Sequence, residues 1–134
     1  MRTKEEENKA LVMQALDEAF NKRDTAAYDR YWSPDYIQHS AVIPPGREGL
    51  RVAMSTLPKE FKYESGLVVA EDDYVMVHGR YSGIGTPKPW IIVDIFRIEN
   101  GLLAEHWDVI QDEASLKDSK SGLPMFGENF FSEL

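Results

Sequence analysis

The chain has 134 residues, enough for one domain with a real hydrophobic core. Its formal net charge of −8 argues against nucleic acid or an anionic membrane surface as a partner. Cysteine is absent, which excludes disulfides, thiolate nucleophiles and zinc–thiolate sites.

The opening "MRTKEEENKA" is polar and lacks the apolar stretch of a signal peptide. No apolar run approaches the ~20 residues of a membrane span. A cytoplasmic protein is expected. Residues 4–21 predict an amphipathic helix, with Leu11, Val12, Ala15, Leu16, Ala19 and Phe20 on one stripe. "NKRD" breaks it. Asp24 or Thr25 can cap a short second helix with Ala27, Tyr28, Tyr31 and Trp32 inward. "SPDY" stops that helix, because the residue before a proline disfavours helical backbone. "YIQHS" predicts a short strand, "VIPPG" a turn, and "REGLRVAMSTLP" a third helix ended by Pro58.

Strands follow. "KYESGLVVAE" and "DYVMVHGRYSG" are β-rich runs joined by acidic turn residues, and "GTPKP" is a loop. "WIIVDIFRI" and "LLAEHWDVI" are the strongest strands, joined by "ENG". A polar tail follows Gln111 and runs into "GLPMFGENFF". Helices first and strands afterwards predict an α+β fold, with helices on one face of an antiparallel sheet.

The last hairpin carries the chemistry. In "AEHWDVI", alternation puts Ala104, His106, Asp108 and Ile110 on one face and Glu105, Trp107 and Val109 on the other. An imidazole and a carboxylate thus share a face with apolar residues. Asn100-Gly101 favours a hairpin, in one of two registers. A two-residue turn sends Asp94 to the face opposite His106 and Asp108. A three-residue loop pairs Ile98 with Leu102 and Asp94 with His106. Trp90, Ile92, Asp94, Phe96, Ile98, Leu102, Ala104, His106 and Asp108 then share one face. The second is preferred, because a lone buried carboxylate is costly and polar residues should cluster. The other face carries Val93, Ile95, Trp107 and Val109. With the helices spent on the inner face, a second copy of the chain is expected to cover it, giving a homodimer.

"YIQHS" before "PPGREGL", together with "VDIFRIENGLLAEHWDVIQ", resembles the SnoaL-like polyketide cyclases, over about residues 5–111. Within these, the chain is similar to proteins described as SnoaL-like aldol condensation-catalysing enzymes. The resemblance implies a cone-shaped nuclear transport factor 2-like (cystatin-like) fold: three N-terminal helices on a curved antiparallel sheet. It implies one such domain over residues 1–134, with 112–134 as a C-terminal tail. It also implies an intramolecular aldol condensation carried out without metal or cofactor. The family's acid/base aspartate falls on Asp108 and its early pocket histidine on His39. A second family histidine falls on Asp94, and the usual Asn-Pro is replaced by Ser40-Ala41.

Asp108 can remove a proton beside a carbonyl and return one if burial lifts its pKa. His106 and His39 can hold a carboxylate or donate to an enolate oxygen. Asp94 is the expected partner of His106. The alternation leaves the face of His78 open. Two histidines and a carboxylate can also form a facial triad for iron, but only His106 and Asp108 are closely spaced, so no metal site is expected. Tyr28, Trp32, Tyr36, Met54, Trp90 and Phe96 are the expected pocket walls, suited to a small hydrophobic carbonyl compound. The expected function is acid/base chemistry on such a compound, by aldol condensation, cyclisation or isomerisation. The alternatives are a non-catalytic hydrophobic-ligand pocket and a dimeric interaction module of the same fold.

Overall fold

The structure, a computed structural model, describes residues 1–131. Helix α1 (Lys4–Leu16) starts at Thr3, whose hydroxyl accepts the Glu6 amide hydrogen at 3.1 Å. Glu5, Glu6 and Glu7 sit in its first turn, at the positive end of the helix dipole. A π-helical turn (Asp17–Asn21) extends it and buries Ala19 and Phe20. The helix expected over 4–21 is therefore present, widened at its end. Asn21 then acts as a strand partner: its amide nitrogen donates to the Tyr63 carbonyl, and its oxygen accepts the Tyr63 amide, each at 3.0 Å.

Asp24 receives the Ala26 amide at 3.0 Å ahead of helix α2 (Ala27–Tyr31). Trp32, expected at the end of that helix, is already extended and opens strand β1 (Trp32–Gln38). It stays fully buried. Helix α3 (Gly46–Ser55) stops before the expected Pro58. Ser55 and Thr56 hydroxyls turn back to the Val52 and Ala53 carbonyls at 2.6 and 2.7 Å. Such side-chain bonds compete with further helix.

Four strands follow: β2 (Lys62–Glu71), β3 (Tyr74–Ser82), β4 (Trp90–Glu99) and β5 (Leu102–Asp112). The sheet order is β1-β5-β4-β3-β2. β2 to β5 form an antiparallel meander, whereas β1 joins the edge parallel to β5. Register shifts between Ser65 and Val68 and between Arg97 and Ile98 curve the sheet. The helices pack into its concave side. Val12, Leu16, Phe20, Trp32 and Leu50 meet Val75, Val77, Phe96, Ile98 and Leu103 there.

After β5 the chain folds back over part of the convex side. Glu113 is buried, its amide bonded to the Pro89 carbonyl at 2.8 Å and its carboxylate to Arg80 Nε at 2.8 Å. Phe126 lies 5.4 Å from the His78 ring and against Gly66, where the missing side chain leaves it room. His78 therefore faces outward, under the tail. The helices leave this face free, as expected, but the tail takes a share of it. Leu67, Val69, Tyr74, Met76 and Val109 remain exposed, beside half-buried Val93, Ile95 and Trp107. Among the described residues no helix is long and apolar enough to cross a membrane.

Candidate active site

The β4–β5 turn decides what the site contains. Asn100 and Gly101 both have positive φ, 52° and 73°, and Glu99 pairs with Leu102. This is the two-residue turn, not the expected three-residue loop. Asp94 nevertheless reaches the inner face. Ile98 pairs with Leu103, and then Arg97 pairs with Glu105, so Ala104 is an extra residue in a β-bulge. The bulge reverses the phase of β5. From there Phe96 pairs with His106 and Asp94 with Asp108, not with His106. Leu103 and Ala104 are both buried, and Leu103 takes the inward place expected of Leu102.

Asp94 and His106 form a buried pair, with Asp94 Oδ1 2.7 Å from His106 Nε2. The Tyr81 hydroxyl donates to Asp94 Oδ2 at 3.1 Å. Phe20, Phe61 and Tyr63 surround the Tyr81 ring edge-on and hold that hydroxyl in place. On its other side His106 Nδ1 lies 2.6 Å from Gln38 Oε1. The same oxygen accepts the Ser40 amide at 2.9 Å, which orients the Gln38 carboxamide and makes Nδ1 the protonated nitrogen.

Asp108 stands beside this chain, half-buried. Burial pushes its carboxyl above the ordinary range; Asp94 adds to this, while the Ser40 hydroxyl and His106 oppose it. Asp108, Asp94 and His106 open into an apolar cavity of about 230 Å³ between the helices and the sheet. Trp32, Tyr36, Met54, Trp90 and Phe96 line it, as expected, joined by Phe20, Leu57, Tyr81, Ile84 and Ile110. Tyr28 does not. It packs 5.1 Å from Trp32 and beneath the Arg51 guanidinium, where burial pushes its hydroxyl up to about 12.

His39 is also outside the cavity. Its ring stacks on Trp107 on the convex face, 4.9 Å between centroids and 3° from parallel, with Nε2 2.7 Å from Glu105 Oε2. Strand alternation is the reason: Tyr36 points inward, so Gln38 and Ser40 do too, and His39 points out. That alternation was readable from Tyr36 alone, and it would have found Gln38. Tyr81 was likewise within reach, at the inward phase of Val75 and Val77.

Ligand atoms of Asp94, His106 and Asp108 lie within 4.8 Å of one another, a spacing a divalent ion could use. Both imidazole nitrogens are already engaged, however, by Gln38 and Asp94. A metal at His106 would have to displace one of those bonds.

The SnoaL-like domain family matches residues 13–106, a span that ends two residues before Asp108. TsrD from Streptomyces laurentii is similar in structure, with 25% identity, a TM-score of 0.63, and coverage of 76% of this chain and 89% of that one. AclR from Streptomyces galilaeus, provisionally named a hydroxylase, has 26% identity and a TM-score of 0.64, covering 79% of each chain. A Bacillus cereus protein provisionally named a polyketide cyclase shares the fold at 17% identity, with a TM-score of 0.70 and coverage of 83% and 79%. No curated protein matches the chain significantly. With most of its length matched, and with its helices packed on a curved five-stranded sheet, the chain belongs to the SnoaL-like domain family.

Proposed function

We propose that the protein is a small-molecule enzyme that moves a proton beside a carbonyl group, with Asp108 as the acid/base. The observation that carries this reading is a half-buried carboxyl, raised above its ordinary range, at the wall of an apolar cavity. A general base works best when its pKa approaches the working pH.

In the forward step the Asp108 carboxylate takes the proton from the carbon next to the carbonyl. The C–H electron pair becomes the C=C bond of an enolate, and the C=O π pair moves to oxygen. The enolate carbon then attacks a second carbonyl, or takes a proton at another position. Asp108 returns its proton to the new alkoxide or carbon. Aldol condensation, cyclisation and isomerisation all share this first step. His106 acts as a positioning residue, because both its nitrogens are engaged, and its pair with Asp94 sets the field at Asp108. The step runs without a metal, so chelator treatment is expected to leave it unchanged.

Hydrogen–deuterium exchange beside the carbonyl, in a panel of hydrophobic ketones, tests the reading. Asp108→Asn keeps the shape and should slow exchange roughly 10²- to 10⁴-fold. Equal rates in the two proteins would make Asp108 structural. Carbon NMR titration of Asp108 is a second test, and an ordinary aspartate value would remove the basis of the proposal.

We also propose that the uncovered convex patch around Trp107 and Val109 mediates a homodimer. Trp107→Glu should halve the mass in sedimentation. A wild type that sediments as a monomer defeats this proposal.

A further inference from the structure

We infer that Tyr36 is the hydrogen-bond donor for the ligand's oxygen, and that the ligand is a carbonyl compound of one or two rings. The inference rests on the proton-transfer reading and adds to it a second group that touches the ligand.

Tyr36 is 5% exposed and lines the cavity with Asp108. Its oxygen accepts a hydrogen bond from Gln38 Nε2 at 3.3 Å. A second donor stands beside it, the Trp32 indole N–H, which has no hydrogen-bond partner among the described residues. These neighbours offer hydrogens, not acceptors. The Tyr36 hydroxyl hydrogen itself goes to none of the described residues. A buried O–H without an acceptor is costly, so the acceptor should come from whatever fills the cavity. Burial first, and the charge of Asp94 next, hold the proton on Tyr36 far above its ordinary range, so it stays a donor at any working pH.

The chemistry of Asp108 supplies the matching acceptor. When the carboxylate removes the adjacent proton, negative charge collects on the carbonyl oxygen. A preplaced donor in a water-poor site stabilises that charge more than it stabilises the neutral carbonyl. The oxygen then sits at Tyr36 and the reacting carbon at Asp108. Phe20, Leu57, Ile84, Trp90 and Ile110 supply apolar wall around the rest of the ligand. Size follows from volume. A cavity of roughly 150 Å³ holds one benzene, so about 230 Å³ holds a substituted ring or a compact two-ring skeleton. Four fused rings exceed what that volume encloses.

The test is calorimetric titration with 4-nitrophenol, whose phenolate imitates a planar enolate, and with nitrobenzene, which lacks that oxygen. Pyrene fluorescence probes the size limit. Tyr36→Phe should weaken 4-nitrophenol binding by at least ~10-fold and leave nitrobenzene within about twofold. Pyrene should not bind. Unchanged 4-nitrophenol binding, equal loss of both ligands, failure of both to bind the wild type, or binding of pyrene would each overturn the inference. Unchanged nitrobenzene binding also reports that the variant's cavity has formed. None of these measurements follows a proton transfer. Failure at Asp108 in the exchange assay is therefore told apart from failure at Tyr36 here.

Discussion

The last strand supplies one member of a histidine–carboxylate pair on each of its two faces, His106 inside and Glu105 outside. Inside, His106 Nε2 meets Asp94 at 2.7 Å, with side chains 6% and 2% exposed. Outside, His39 Nε2 meets Glu105 at the same 2.7 Å, with side chains 43% and 18% exposed. Chemistry and distance are alike, and only the surroundings differ. In a single copy of the chain water and salt screen the outer pair, while Arg97 Nε at 2.9 Å gives Glu105 an alternative partner. His39 first and Arg97 second hold the Glu105 carboxyl below its usual range. The inner pair has no such reserve. Tyr81 and Gln38 each supply one fixed bond, and removing a member strands a polar group in the core.

The largest effect should come from breaking the inner pair. Asp94→Ala is expected to cost roughly 3–5 kcal/mol in denaturant unfolding, because His106 Nε2 is left buried and unpaired. Gln38→Leu should follow at roughly 1–3 kcal/mol, since it orphans His106 Nδ1 and the Ser40 amide. Asp108 sharpens the contrast through pH. Its folded pKa is raised, so its proton favours folding. That contribution is full below the unfolded pKa of ~3.9 and is lost as pH rises through the folded value. Asp108→Asn escapes the loss, so its melting temperature relative to wild type should climb with pH over that interval. A flat difference would contradict the raised pKa. The smallest effect belongs to the outer pair: His39→Ala should change stability by less than about 1 kcal/mol. A loss as large as that of Asp94→Ala would dissolve the distinction between the faces.

Particular elements show how far the sequence could be read. The strands from Trp90 to Glu99 and from Leu102 to Asp112 were legible because alternation and an Asn-Gly turn are local signals. Asp94, His106 and Asp108 were expected to cluster, and they do, but for a reason the sequence hid. Ala104 looks like any strand residue, and nothing about it announces a bulge. At the bulge Leu103 and Ala104 are both buried, with Leu103 in the core beneath the helices. His39 faces outward, against the resemblance, because strand alternation from the inward Tyr36 governs its direction. Tyr28 points inward and is buried, yet it reaches the core without reaching the cavity. The tail carried no periodicity, so its return over His78 was invisible.

The sequence by itself determined the α+β class, the order of the elements and the inward stripes of the helices. Each of these rests on neighbours a few residues apart, where backbone preference and hydrophobic period act directly. The tertiary structure alone decided which polar residues meet. Gln38 reaches His106 across 68 residues and His39 reaches Glu105 across 66, both through the parallel pairing of β1 with β5. That pairing sets β1 on the β5 edge, with α3 in the connection that leads to β2 at the opposite edge. Burial then separates two like pairs into a core dyad and a surface contact, since solvent, which no residue encodes locally, sets the strength of each.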